Sequence, residues 1–491
     1  MTAMQLLRFT LLPLASALLL AGCATAPSAP APSVETPASF KEAGVQWTTA
    51  APAEAQDRGS WWKAFGDPVL DRLVERAAVH NTDIHAAAAR LAQARAQVRS
   101  AQADQRPQVG LGAGASRQAG ANTATGAVPA TLLDAGASFA YEIDLSGRLA
   151  RSRDAAALDA QEREALLLST RLLVQAEVAQ TYLALRATDS ELALVQETVA
   201  AYANTLRLTQ RRHQAGDIAE LDVVRVQTEL AATEADVLAL QRRRAQLEHA
   251  LALLAGDAAS SFTLAPAQWS TALPSIPPGI PGTVLARRPD VAAAQNALLA
   301  AQARLGVAQR AWFPSVALTA SGGFASPELG DLFKWSARAW GVGALLSLPI
   351  FDGGKREAGV QNAQARLDEA LAGYRSRVLG AFRDVEDQLS SLRLLHGQAQ
   401  AQARAVESAR RATTLSDTRY RNGLVSQLEL LDARRSELLN RRQALQVRAL
   451  QYQATVGLVR ALGGGWDGAG NADGTHAPKT QLASGGGAGL R

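Results

Sequence analysis

The chain is written twice. Asp83-Ile84 recurs as Asp290-Val291, Pro107 as Pro314, Gly136 as Gly343 and Gly147-Arg148 as Gly354-Lys355. Gly216 recurs as Gly423, Leu221 as Leu428 and Gly256 as Gly463, every pair 207 positions apart. The register needs no gap over roughly 170 residues, so one structural unit is duplicated within the chain.

Each copy reads in the same order. A helix comes first, Asp83–Arg106 and Asp290–Phe313, opened in the second copy by Pro289 and ended in both by proline. Two alternating segments follow, predicted as strands over 108–117 and 136–145, then over 315–324 and 340–350. Val109, Leu111, Ala113 and Ala115 fall on one face of the first, with Gly110, Gly112 and Gly114 on the other. Phe139, Tyr141, Ile143 and Leu145 oppose Ser138, Glu142 and Asp144 in its partner. In the second copy Val316, Leu318 and Ala320 alternate with Ser315, Thr319 and Ser321, and Trp340, Val342, Ala344, Leu346 and Leu348 share a face. Runs of about ten residues, apolar on one side and small or polar on the other, are the signature of transmembrane strands. Phe333, Trp335 and Trp340 at one end, and Trp312, Phe313 and Phe351 at the other, have the placement of interfacial girdles.

Long helices complete each copy, 149–212 and 356–419, each about 96 Å at the α-helical rise. Gly216 and Gly423 end them as left-handed turn residues. Return helices run over 221–254 and 428–462, with a connector between the copies at 257–285. Four strands cannot close a membrane barrel, whose known minimum is about eight, and an open edge cannot lie in lipid. Hairpins that need partners predict a homo-oligomer.

The N-terminus adds an address. Phe9–Ala21 is apolar and too short to span a bilayer, and it ends in Leu20-Ala21-Gly22-Cys23, a lipobox. Residues 1–22 therefore read as a lipoprotein signal peptide and 23–57 as an acylated flexible tether. Cys23, the only cysteine, carries the N-acyl diacylglycerol anchor in this reading. Ala24 after it resembles lipoproteins passed on to the outer membrane. Residues 463–491 read as a Gly/Ala-rich disordered tail.

Other chemistry is poorly supported. Charged residues make up 19% of the chain and the net charge is +5, with Arg and Lys interspersed among Glu and Asp, so no nucleic-acid surface is expected. His80 and His85 are five apart without a metalloprotease frame, so no metal is expected. Asp352-Gly-Gly-Lys355 lacks phosphate-loop spacing, Gly110-Leu-Gly112-Ala-Gly114 lacks a dinucleotide fold context, and no nucleophile elbow is present. The expectation is no enzyme and no cofactor beyond the lipid.

Particular motifs resemble the TolC-type outer-membrane efflux proteins, in their OprM/NodT lipoprotein branch. They are Trp61-Trp62-Lys-Ala-Phe65-Gly66-Asp67-Pro68, Tyr141-Glu142-Ile-Asp144-Leu-Ser-Gly147-Arg148, Arg287-Arg288-Pro289-Asp290-Val291, Phe313-Pro314, Leu348-Pro349-Ile350-Phe351-Asp352-Gly353-Gly354 and Tyr420-Arg-Asn-Gly423. The resemblance runs from about Asp57 to Leu462 and implies a mainly α fold with a membrane β-barrel, internally duplicated. It implies a homotrimer with a twelve-stranded barrel in outer-membrane lipid and a long α-helical periplasmic tunnel. Segments near 58–80 and 257–285 would form a girdle around that tunnel. The implied function is the exit channel of a tripartite efflux system, working with a periplasmic adaptor (membrane-fusion) protein and an inner-membrane transporter of the resistance–nodulation–division type. It also implies a periplasmic gate, on which Glu429 and Asp432 would form stacked acidic rings while Asp222 and Tyr420 hold neighbouring hairpins. An arginine that relatives place two residues after the tip glycine is Val425 here, leaving Arg225, Arg419 or Arg421 as substitutes. A carboxylate pair on a solvated helix face has the same sequence pattern. A type I protein-secretion duct and a periplasmic strut without a pore are the alternative functions.

Overall fold

The computed structural model describes residues 40–42, 59–118, 130–271, 273–274 and 287–464. The residues read as a signal peptide, Cys23, most of those read as a tether, part of the expected connector and nearly all of the expected tail lie outside them. The elements are α1 (Pro68–His80), α2 (Thr82–Ala103), β1 (Gln108–Gln118), β2 (Ala130–Ile143), α3 (Arg148–Gln214) and α4 (Glu220–Leu254). The second copy supplies α5 (Pro289–Gln309), β3 (Ser315–Ser326), β4 (Arg338–Ser347), α6 (Lys355–Arg421) and α7 (Gln427–Ala461). Short 3-10 turns lie at Trp61–Phe65, Arg310–Trp312, Leu329–Asp331 and Trp335–Ala337.

Several ends differ from the sequence reading, each for a local reason. Strand β2 starts at Ala130, six residues earlier than expected, because Thr131–Leu133 extend the ladder opposite Ala115–Arg117. It stops at Ile143, since Asp144 turns away to accept the Ala150 amide at 2.8 Å and opens α3. Strand β4 stops at Ser347 because Pro349 has no N–H to continue a ladder. Helix α2 ends at Ala103 and tightens before Pro107, the Arg106 amide donating to the Ala103 carbonyl at 2.9 Å. Helix α5 gives way at Arg310 to a tighter turn held by the Phe313 amide donating to the Arg310 carbonyl.

The chain divides into two units. The first contains 82–171 and 290–382, and with them the whole sheet. Its strands form one antiparallel meander in the order β1-β2-β3-β4. Register across all three ladders sorts the side chains. Val109, Phe139, Ala320 and Val342 lie in one row, as do Leu111, Ala137, Gly322 and Trp340. Directly opposed residues share a face, so both hairpins merge their apolar sides into a single surface. Val109, Leu111, Trp340 and Val342 are each more than 70% exposed on it. The opposite face carries Gly112, Ser138, Glu142, Thr319 and Ser321. Strands β2 and β3 leave no room for a side chain at Gly136 and Gly323, where an added Cβ would run into the Gly322 and Ala135 carbonyl oxygens. Any larger side chain would part the two hairpins.

The second unit contains 38–81, 172–289 and 383–491, including the distal parts of α3 and α6 with the return helices α4 and α7. Helices α3 and α6 are each 67 residues long, and α4 and α7 are each 35. Tyr182, Leu185, Leu251, Tyr452 and Leu458 are buried in this unit. A shell of Trp61, Trp62 and Phe65 covers part of it, with Phe65 and Tyr452 rings 6.1 Å apart. Among the described residues no helix is long and apolar enough to cross a membrane.

Candidate functional site

The distal ends of the two helical hairpins carry the residues singled out by sequence. Both turns close the same way. Gly216 takes φ 82 and Gly423 takes φ 71, left-handed values that favour glycine. The Asp217 amide reaches back to the Arg212 carbonyl at 2.9 Å, and the Leu424 amide to Arg419 at 2.9 Å. These six-to-one bonds satisfy carbonyls the helix leaves free. Ser426 then caps α7 through the Glu429 amide, whereas Ala219 opens α4 with no side-chain cap.

Glu429 and Asp432 are one turn apart and half-exposed. Arg419 lies 3.7 Å from Glu429, across the turn of the same hairpin. Asp432 faces Arg435 at 3.4 Å. Asp222 pairs with Arg225 of its own helix at 3.6 Å. The three-residue spacing puts the two on one face of the helix. Arg421 is taken by Asp417 at 2.7 Å. Tyr420 is buried, with the Arg212 guanidinium of the first hairpin 5.6 Å from its ring centre. Its hydroxyl, and both amide atoms of buried Gln427, find no hydrogen-bond partner among the described residues.

The first and second hairpins are joined mainly through residues that sequence reasoning missed. Tyr202, Val226 and Leu431 form a buried apolar centre flanked by Leu206 and Leu230. Around it runs a row of arginines from α7. Arg434 donates to Thr205 of α3 and pairs with Asp417 at 3.0 Å. Arg435 ion-pairs with Glu229 of α4, and Arg441 reaches Glu197 at 3.2 Å. Arg442 spans two helices, to Glu191 at 2.8 Å and Asp236 at 2.7 Å. Burial raises the Tyr202 phenol above its ordinary pKa, and the Glu229 charge adds to that. The charge-assisted hydrogen bond that Arg435 donates to Glu229 holds its guanidinium even more firmly protonated.

A second polar system lies deeper, where the connector crosses the helices. Asp67 caps α1 through the Val69 amide at 3.0 Å with one oxygen. Its other oxygen accepts from the Tyr182 hydroxyl at 2.7 Å and from Thr271 at 3.2 Å. Arg186 donates to Tyr182, to Asp189 at 2.9 Å and to the Ala265 carbonyl at 2.9 Å. Arg244 completes the chain, to Asp189 at 2.7 Å and Glu248 at 3.2 Å, while Glu248 accepts the Leu264 amide at 2.6 Å. Burial pushes the Tyr182 phenol up to about 12, against the lowering effect of Arg186. The network pins 264–271 to the helices by satisfied polar contacts.

Among the described residues no cluster of three His, Cys, Asp or Glu is arranged to hold a metal. The sites built here are ion-pair locks, acidic side chains facing solvent, and a two-faced sheet. Comparisons with known proteins give that combination a setting. The sequence matches the profile described as outer membrane efflux protein over residues 73–257 and 280–464, once for each copy. Outer membrane protein OprJ of Pseudomonas aeruginosa is 34% identical over 458 residues, covering 92% of this chain and 95% of that protein. The antibiotic efflux pump outer membrane protein ArpC of Pseudomonas putida is 32% identical, with 92% and 94% covered. Among solved structures, the outer-membrane channel OprN superposes with a TM-score of 0.82 at 32% identity, covering 89% of this chain and 99% of that one.

Proposed function

The chain belongs to the outer membrane efflux protein family, and from that premise we propose that three copies form one outer-membrane exit channel. Each supplies four strands to a twelve-stranded barrel, and the long helices form a periplasmic tunnel. The observation that carries this reading is the sheet. Its register makes one continuous apolar face opposite a small and polar one, and among the described residues β1 and β4 have no neighbour on their outer edges. Lipid accepts such a sheet only when the edges are closed by other strands. Gly112, Ser138, Glu142 and Thr319 then line water, and Val109, Leu111, Val342 and Trp340 face lipid.

In this reading the protein is the passive end of a tripartite system. Relatives are named as outer-membrane proteins of antibiotic efflux pumps. Small molecules reach the duct from an inner-membrane transporter of the resistance–nodulation–division type through a periplasmic adaptor. Cys23, acylated by diacylglycerol and an N-acyl chain, anchors the N-terminus on the periplasmic side of the outer membrane. The hairpin ends are the gate. Three copies of Glu429 and Asp432 stack as two acidic rings, which concentrate cations and slow anions. Arg212 on Tyr420, Arg419 by Glu429, and Arg435 on Glu229 hold the hairpins in the closed arrangement. Opening is a shift between two packings, driven by whatever binds the open one better.

Single-channel recording in planar bilayers tests both levels. The wild-type protein forms pores of small conductance, and Glu429→Ala with Asp432→Ala raises conductance and removes block by divalent cations. Unchanged currents in that variant sink the acidic gate. A correctly folded protein that forms no pore at all sinks the duct.

A further inference from the structure

Arg448 of α7 sits between two aromatic rings, 4.7 Å from the centre of Trp269 and 5.8 Å from that of Tyr452. Its one hydrogen bond among the described residues is a long one, 3.4 Å to the Thr271 carbonyl, and no carboxylate there pairs with it. The other α7 arginines nearby do have carboxylates, Arg441 with Glu197 and Arg442 with Glu191. Two cavities meet at Arg448 and Ala444. One, of about 780 Å³, is walled by Leu194, Val406 and Leu445 and also by Asp189 and Glu197, whose charges are taken by Arg186, Arg244 and Arg441, and the other is about 450 Å³. Trp269 lines the larger one, and its buried indole N–H has no hydrogen-bond partner among the described residues.

The duplicated copy shows that helix packing does not require this arrangement. Positions 207 earlier are Gln241 and Ala245, which occupy the same places on α4 without a cation or a ring. A guanidinium is a planar fork that matches a carboxylate in two parallel hydrogen bonds. Apolar walls around a few convergent polar groups are the usual make-up of a small-molecule site. The geometry points to a binding site for a small organic carboxylate at Arg448, its anionic head on the guanidinium and its carbon skeleton against Leu194, Val406 and Leu445.

The test uses the purified full-length protein in amphipol, with 4-phenylbutyrate as probe and 4-phenylbutan-1-ol as its neutral counterpart, followed by calorimetry and saturation-transfer NMR. The carboxylate binds saturably and the alcohol binds far more weakly. Arg448→Gln weakens the carboxylate by at least about tenfold, the worth of one charged hydrogen-bonded pair, and Arg448→Lys falls between. Ala444→Phe fills the junction of both cavities, keeps the guanidinium, and blocks binding; it decides the matter if Arg448→Gln lowers the melting temperature. Equal affinity for the acid and the alcohol, no saturable binding by the folded wild type, or full binding by Ala444→Phe overturns the proposal.

Discussion

The two copies in this chain share a backbone and differ in chemistry. Their long helices have the same length, as do their return helices. Gly147, Gly216 and Gly256 take positive φ, and so do Gly354, Gly423 and Gly463 in the second copy. Side chains at equivalent places diverge. Tyr182, Arg186, Asp189, Arg244 and Glu248 form the buried polar network of the first copy; the second has Leu389, Arg393, His396, Gln451 and Thr455. Conversely, Arg434, Arg435, Arg441 and Arg442 replace Gln227, Thr228, Glu234 and Ala235. Duplication preserved what the backbone needs, namely turn residues and helix length. Divergence then made the copies complementary where they meet, with α7 arginines facing carboxylates of α3 and α4.

The largest test of that difference is in the buried network. Asp189 faces both Arg186 and Arg244, and its side chain is 2% exposed. Asp189→Ala leaves buried Arg186 without a carboxylate and Arg244 with Glu248 alone, and is expected to destabilise the fold by about 3–5 kcal/mol. His396→Ala, at the equivalent place in the second copy, is expected to stay within about 0.5 kcal/mol. Thermal unfolding followed by circular dichroism checks both, and equal losses would mean the copies are not specialised in this way.

Next in size is a pH effect confined to the first copy. The folded-state pKa of Tyr182 is raised, so its neutral form stabilises the fold fully below the ordinary phenol value of 10.0. That contribution is lost as pH rises towards about 12, and it amounts to about 2–3 kcal/mol. Wild type is expected to lose melting temperature more steeply than Tyr182→Phe across this window. Parallel curves would remove Tyr182 from the account. Leu389, its counterpart, has nothing to titrate.

What was legible in the sequence follows from the same comparison. Features carried by period or by a single residue type could be read directly: the repeat, the faces of the strands, and the turns at Gly216 and Gly423. Strand ends were less legible, because Thr131–Leu133 join the ladder through their partners on β1 more than through their own pattern. The buried network was not legible, since its members lie far apart in sequence, Arg186 bonding 79 residues away at Ala265. The arginine row left a signal that went unused. Arg435 meets Glu229 and Arg442 meets Asp236, each 206 residues apart and one short of the repeat. Copies packed side by side place nearly equivalent positions together, so opposite charges at that offset mark the contact.

That offset yields the smallest and most selective test. Arg435 and Glu229 form an ion pair whose arginine is 58% exposed, so solvent limits its contribution to at most about 1 kcal/mol. Arg435→Glu is therefore expected to change the melting temperature little. It places like charges beside Glu229 and Asp432, however, and under the proposed gating it should loosen the hairpins and raise single-channel conductance. Adding Glu229→Arg restores an opposite-charge pair in reversed order and should return conductance towards wild type. Thr228→Glu, the matching position in the first copy, creates no such conflict with a known partner and should leave currents unchanged. If Arg435→Glu leaves conductance unaltered, or the reversal fails to rescue it, the complementarity of the copies serves assembly and not the gate.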